Sequence, residues 1–141
     1  MLLYRLAVYS RKRIKKLKTH ESTENYLETI LVLSNGGKKV RSIDIVNELG
    51  FSKPSISIAV KKMRETEHIA VDDNGYITLT ESGKRIAETM FERHTLMSDW
   101  LISLGVDRET ALNDACKMEH CMSEQSFSAI KACINKQFTN I

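Results

Sequence analysis

The sequence predicts a mainly α-helical fold that carries one small β-hairpin. Six segments repeat apolar residues at helical spacing, and each begins at a Ser, Thr or Asp that suits an N-cap. Between the third and fourth segments, two short apolar runs flank the turn sequence Asp-Asp-Asn-Gly of residues 72–75. The predicted order is therefore three helices, two strands and three helices. A chain of 141 residues can bury only a modest core.

Capping residues and apolar spacing define the first two helices. One covers residues 22–34 and ends at an Asn-Gly-Gly turn. The other is capped by Ser42 and closed by Gly50, because glycine adopts the left-handed conformation at low cost. This second helix is about two turns long, and its apolar face consists of Ile43, Val46 and Leu49.

The third helix begins directly after Gly50. Ser52 is its N-cap, and Pro54 lies in the first turn, where its missing N–H costs nothing. The helix runs to about Glu67, and its buried face consists of Ile56, Ala59, Val60 and Met63. Two short helices joined by a tight turn and followed by a hairpin are the element order of a winged helix-turn-helix, a DNA-binding fold.

The remaining elements extend this fold with further helices. Strands at residues 68–71 and 76–79 form the wing, and Thr80 caps a long helix over residues 81–104. One helix follows from Asp107 to Cys121, and a last one from Ser123 to Gln137. We predict three parts: a basic arm (residues 1–20), a winged helix-turn-helix domain (21–80) and an all-helical domain (81–141).

Composition and charge narrow the class of protein. With 42% hydrophobic and 28% charged residues, the chain is typical of a soluble globular protein. No apolar run reaches the roughly 18 residues that cross a bilayer, and the apolar residues 1–4 precede the positive charges, so the cytoplasm is the expected compartment. Residues 1–20 hold seven basic side chains and no acidic one. Such an arm indicates either a polyanionic partner or a disordered, solubilising extension.

The outer face of the third helix offers groups that contact DNA. Ile58 lies opposite the buried face, where it is unfavourable in water but fits a thymine methyl in the major groove. The alternative is that Ile58 is another core residue. Serine hydroxyls bond phosphates or base edges, and lysines release counterions from phosphates. The predicted DNA-contacting residues are Ser52, Lys53, Ser55, Ser57, Ile58, Lys61 and Lys62.

A second set of residues has the chemistry of a metal site. Cys116, Glu119 and His120 stand at positions i, i+3 and i+4, so in a helix their side chains share one face. A thiolate, a carboxylate and an imidazole suit divalent transition metals and disfavour Mg²⁺ and Ca²⁺. Three further candidates lie on other predicted helices: Asn25, Glu28 and His94.

Simpler interpretations exist for several of these residues. His94 on an inward stripe is more often a hydrogen-bonded core histidine than a ligand, and Asn25 with Glu28 is more often a polar flank. Without an export signal, three cysteines favour free or metal-bound thiols over a disulfide framework. Of these, Cys121 and Cys133 are predicted to be packing residues or spare thiols.

Three segments carry a resemblance to a known family: residues 24–30 (ENYLETI), Arg93-His94, and residues 115–123 (ACKMEHCMS). They resemble the metal-binding motifs of the diphtheria toxin repressor and manganese transport regulator family, over about residues 22–137. The resemblance implies a winged helix, a helical dimerisation domain and a divalent metal as corepressor for palindromic operators of metal-uptake genes. Among family members, the chain is similar to the short form without an SH3-like domain.

The resemblance also assigns individual residues. Positions of the manganese-type ligands are matched by Glu28, His94, Glu119 and His120. Cys116 stands where iron-type members have Cys, and Asn25 stands where the family often has Asp or Met. The positions that resemble those of the family's DNA-facing residues are occupied by Ser52, Pro54, Ser55 and Ile58.

The sequence therefore predicts a metal-dependent repressor and not an enzyme. The expected partners are double-stranded palindromic operator DNA and a second copy of the chain, without a membrane or a small-molecule substrate. Because a thiolate ligand favours it, Fe(II) is the first expected metal, Mn(II) the second, and Zn(II) or Co(II) are expected to bind in vitro. The alternatives are a metal-independent winged-helix regulator and a metallohydrolase, although no His-Glu-x-x-His helix or nucleophile elbow accompanies the triad.

Overall fold

The structure is a computed structural model that describes residues 23–139. Its helices are α1 (Thr23–Leu33), α2 (Ser42–Leu49), α3 (Lys53–Glu65), α4 (Glu81–Ser103), α5 (Arg108–Met118) and α6 (Glu124–Thr139), with strands β1 (Ile69–Val71) and β2 (Ile77–Leu79) between α3 and α4. The predicted order of elements is confirmed. None of these helices is both long and apolar enough to cross a membrane. The predicted basic arm lies outside the described residues.

The chain forms two compact units, one ending at Met90 and the other beginning at Phe91. In the first unit, a single apolar core gathers residues from α1, α2, α3, both strands and the start of α4. Its buried members are Tyr26, Leu27, Ile30, Val40, Ile45, Leu49, Phe51, Ile56, Met63, Ile69, Ile77 and Ala87. This core fixes α2, α3 and the hairpin against one another.

The turn between α2 and α3 has the predicted chemistry. Gly50 is left-handed, with φ of 73°, and its N–H donates to the Val46 carbonyl at 2.8 Å. Ser52 accepts a hydrogen bond from the Ser55 N–H at 3.3 Å, and Pro54 occupies the first turn of α3. These local interactions stop one helix and start the next within three residues.

The beginning and the buried face of α2 differ from the prediction. Arg41, not Ser42, is the N-cap, because the Asp44 carboxylate accepts the Arg41 backbone N–H at 2.8 Å. Ile43 was expected on the apolar face but is 43% exposed, whereas Ile45 is fully buried. A helix of two turns contains too few apolar residues for their spacing to select one face.

The hairpin is antiparallel, with Ala70 opposite Thr78, and forms the predicted wing. Its turn is held by Asp72, whose Oδ1 accepts the backbone N–H groups of Asn74 and Tyr76, each at 2.9 Å. A third segment joins it through Val40, whose carbonyl accepts the Ile77 N–H at 2.7 Å. This bridge was not predicted from the sequence.

Helix α4 begins in close contact with the start of the wing. The predicted cap Thr80 accepts the Gly83 N–H at 3.3 Å and donates its hydroxyl to the Glu67 carbonyl at 2.7 Å. At Gly83, a Cβ atom would stand 2.0 Å from the His68 carbonyl oxygen. Only glycine fits there without displacing the backbone.

The second unit is built from the rest of α4 with α5 and α6. As predicted, Asp107 caps α5 by accepting the Thr110 N–H at 3.1 Å, and Ser123 accepts the Ser126 N–H at the start of α6. Helix α5 ends at Met118, earlier than the predicted Cys121. The next residue nevertheless retains helical backbone angles, with φ of −59° and ψ of −30°.

Candidate metal centre and DNA-reading helix

Three potential metal ligands of the second unit meet in its interior. The ligand atoms of His94, Cys116 and Glu119 all lie within 4.8 Å of one another, and all three side chains are buried. His94 Nδ1 is 3.0 Å from Glu119 Oε2, and Cys116 Sγ is 3.8 Å from Glu119 Oε1. Glu119 is therefore the centre of the cluster.

Two helices position this cluster. Cys116 is near the end of α5, and Glu119 follows as the C-cap with its N–H bonded to the Ala115 carbonyl at 3.0 Å. Because Glu119 keeps helical angles, the predicted i, i+3 pairing with Cys116 holds. His94 is supplied by α4, 25 positions away along the chain from Glu119.

His120 contacts the Glu119 carboxylate but is not grouped with His94 and Cys116. It lies beyond the last residue of α5, so it is not on a helix face at i+4 from Cys116. Its Nε2 is 3.2 Å from Glu119 Oε1, and its side chain is only slightly exposed. The turn after α5 thus brings a second imidazole to the same carboxylate.

Arg93 holds this turn through hydrogen bonds to its backbone, a role that was not predicted from the sequence. Its Nη1 donates to the carbonyl oxygens of Glu119 at 3.1 Å and Met122 at 2.7 Å. The guanidinium also lies over the Phe127 ring, 5.1 Å from the centroid. The sequence offered one signal, an arginine directly before a candidate histidine, but residue spacing alone does not reveal which groups that arginine contacts.

The predicted ligands of the first unit are both on α1. Asn25 and Glu28 are buried, and the Asn25 carbonyl accepts the Thr29 hydroxyl at 2.8 Å. Burial is unusual for a carboxylate, so the buried position of Glu28 disagrees with the alternative that these two residues form a solvated polar flank. The metal-ligand role of these two residues stays a prediction.

The chemistry of the donor set fits a divalent transition metal. A thiol, two imidazoles and a carboxylate are the donors that such ions prefer, whereas Mg²⁺ and Ca²⁺ require oxygen ligands. By contrast, Cys121 and Cys133 are exposed, and Cys121 Sγ contacts the Lys117 carbonyl at 3.4 Å. Cys133 therefore does not pack in the core, and both remain free thiols in the described part of the chain.

The outer face of α3 carries the residues predicted to contact DNA. Ile58 is 70% exposed, which excludes the alternative that it belongs to the core. The buried face contains Ile56 and Met63, as expected. Ser55 is half-buried, and the other predicted residues are exposed: Ser52, Lys53, Pro54, Ser57, Lys61 and Lys62.

Two family descriptions match the chain. "Iron dependent repressor, N-terminal DNA binding domain" matches residues 18–77. "Iron dependent repressor, metal binding and dimerisation domain" matches residues 80–138. Together they cover both predicted folded parts.

Individual proteins give the same result. The HTH-type transcriptional regulator MntR of Bacillus subtilis is 31% identical over 112 residues, 79% of this chain and 79% of that protein. Transcriptional regulator MntR of Escherichia coli O157:H7 is 28% identical over 120 residues, 85% of this chain and 77% of that protein.

Solved structures share the architecture. A manganese-dependent transcriptional repressor in complex with manganese has a TM-score of 0.73 at 28% identity, over 81% of this chain and 53% of that one. The manganese regulator SloR has a TM-score of 0.74 at 24% identity, over 83% of this chain and 55% of that one. The chain spans about half the length of these two structures.

Proposed function

This chain belongs to the iron-dependent repressor family, and we propose that it is a divalent-metal-dependent transcriptional repressor of metal homeostasis genes. The family consists of transcriptional regulators, not enzymes. We further propose that the chain binds palindromic operators as a homodimer, since one match is to a dimerisation domain. The observation that carries the proposal is the buried cluster of His94, Cys116 and Glu119 in the unit matched by the metal-binding domain.

The ligands that we propose for the metal in the second unit are His94, Cys116, Glu119 and His120. The side chains of His94, His120 and Cys116 each place an atom within 3.8 Å of an oxygen of the Glu119 carboxylate. When bound, the metal supplies positive charge that compensates a buried thiolate and carboxylate. Glu28, also a buried carboxylate, keeps its predicted ligand role, and Asn25 offers an uncharged amide oxygen.

Fe(II) is the metal that we propose first, with Mn(II) second. The proposal rests on Cys116, because a thiolate is a softer ligand than the carboxylates that suit manganese. Two similar solved structures are named for manganese, so the comparison between Fe(II) and Mn(II) is the informative one. Zn(II) and Co(II) are expected to bind in vitro.

For the DNA, α3 is the proposed reading helix. Lys53, Lys61 and Lys62 contact phosphates, and the hydroxyls of Ser52, Ser55 and Ser57 bond phosphates or base edges. Pro54 and Ile58 supply apolar contacts, for which the thymine methyl is the matching group in the major groove. Metal and operator must strengthen each other's binding by the same factor, because the coupling free energy between two ligands is reciprocal.

The test is a fluorescence-anisotropy titration of reduced protein on DNA selected from its own upstream region, under anaerobic conditions. Chelator is followed by Fe(II), Mn(II) or Zn(II), and wild type is compared with Cys116→Ser, His120→Ala and the control Cys133→Ser, which replaces an exposed thiol. We expect metal to tighten DNA binding in wild type and in the control only. Tight binding that ignores chelator and all three substitutions would instead identify a metal-independent winged-helix regulator.

A further inference from the structure

One aromatic ring beside the turn of the wing carries two cationic side chains. Lys39 Nζ lies 4.7 Å and Arg41 Cζ 4.4 Å from the centroid of the Tyr76 ring. Both cations are exposed, and neither is within ion-pair distance of a carboxylate of residues 23–139. Two like charges are therefore held side by side, with the Asp44 carboxylate bonded to the Arg41 backbone N–H and not ion-paired with its side chain.

The backbone bridge between Val40 and Ile77 produces this arrangement. Both residues are buried, and their side chains enter the core of the first unit. Since side chains alternate along extended backbone, the residues on either side of each bridge partner face outward. Lys39 and Arg41 thus share the outer face with Tyr76, and the ring lies within reach of both.

The positive charge extends beyond this pair. Lys38, Lys39 and Lys84 line an open cleft that also includes Tyr76. The acidic neighbour in the cleft is Asp72, whose Oδ1 already accepts two backbone N–H groups in the wing turn. The three lysines therefore give this side of the wing more positive charge than Asp72 balances, and Asp73 follows in the turn.

We propose that Lys39 and Arg41, stacked on Tyr76, bind the DNA backbone through its phosphates, an inference that rests on the proposed DNA-binding function. Arg41 is the N-cap of α2, the first helix of the helix-turn-helix, and that helix crosses the DNA backbone in such folds. Contact with the ring orders two long side chains in advance, which lowers the entropy lost when they bind. The wing thus contacts DNA through the cations that lie over Tyr76 and not through the carboxylates of its turn.

Salt dependence of DNA binding tests this directly. Each phosphate contact contributes about 0.9 to the slope of log K against log salt. Because the proposed homodimer carries each residue twice, we expect Lys39→Gln and Arg41→Gln each to reduce the slope by about 1.8, on the operator and on unrelated DNA alike. The matched variants Lys39→Arg and Arg41→Lys keep the charge and should keep the slope. Tyr76→Leu should weaken binding about two- to fivefold, whereas Tyr76→Phe retains the ring and the affinity.

The outcomes separate this inference from the function on which it rests. If wild type with metal binds no DNA, the proposed function itself fails, and this contact fails with it. If wild type binds DNA but both glutamine variants retain its slope, the phosphate contact is overturned while the function stands. Circular dichroism of each variant establishes that the fold is intact before its slope is interpreted.

Discussion

Replacing Arg93 with methionine is expected to destabilise the second unit and weaken its metal site. The guanidinium donates to two main-chain carbonyls, those of Glu119 and Met122, and both belong to the turn that follows α5. Methionine is of comparable length and can still contact the Phe127 ring, so the substitution removes the hydrogen bonds with little change in volume.

The magnitude follows from these two bonds. A hydrogen bond from a charged donor contributes about 1.5–3 kcal/mol to stability, and its loss leaves a carbonyl without a protein donor. Part of this loss is offset because a buried cation is no longer desolvated, so we expect roughly 3 kcal/mol in the free energy of unfolding. For a protein of this size that corresponds to a melting temperature lower by roughly 10 °C. Metal affinity is expected to fall about tenfold, because the turn no longer fixes Glu119.

Thermal unfolding followed by circular dichroism measures the first effect, and calorimetric titration with Mn(II) or anaerobic Fe(II) measures the second. Arg93→Lys is the control, since its ammonium keeps the charge and can donate to these carbonyls but lacks the planar guanidinium that lies over Phe127. It should lose about half of the roughly 3 kcal/mol expected for Arg93→Met. A melting temperature for Arg93→Met within about 2 °C of wild type would refute the stated role of these hydrogen bonds.

Three other substitutions or perturbations have defined outcomes. Gly83→Ala is expected to lower the free energy of unfolding in urea by about 3 kcal/mol, because the new Cβ would stand 2.0 Å from the His68 carbonyl oxygen. The control Lys84→Ala changes an exposed residue and should lower it by less than about 0.5 kcal/mol. Replacing operator thymines with uracil should weaken wild-type DNA binding about fourfold per contacted methyl group. DNA binding by the Ile58→Ser variant should be insensitive to this replacement. Equal losses of affinity in both proteins would exclude the methyl contact. A metal at a hundredfold excess over its dissociation constant should raise the free energy of unfolding by about 2.7 kcal/mol, and chelator or Glu119→Gln should abolish that increase.

Elements with local signals could be predicted from the sequence. Ser52, Asp107 and Ser123 were identified as N-caps, and each accepts the expected backbone N–H. The spacing of Cys116 and Glu119 was sufficient because a helix fixes the relation between residues three apart. Such signals are complete within four consecutive residues, so they do not depend on the tertiary fold.

Interactions between distant segments could not be predicted in this way. The bridge from Val40 to Ile77 joins residues 37 positions apart, and nothing in the residues around Val40 predicts a strand. The hydrogen bonds of Arg93 to the turn after α5 likewise depend on how two helices pack. The early end of α5 was missed because no glycine or proline follows Met118 to mark it.

The two interpretations of His94, a satisfied core histidine or a ligand, are compatible. Its Nδ1 is already hydrogen-bonded to Glu119, which is fully buried and also contacts Cys116 and His120. The Glu119 carboxylate thus already has protein contacts in this arrangement. The same packing sets the ligand atoms close together, which reduces the cost of ordering them around a cation. Metal binding must then replace these internal hydrogen bonds, and its free energy is the difference between the two arrangements. The proposed site is suited to sense metal concentration, because the cost of breaking these contacts lowers its affinity and its occupancy then follows the metal supply.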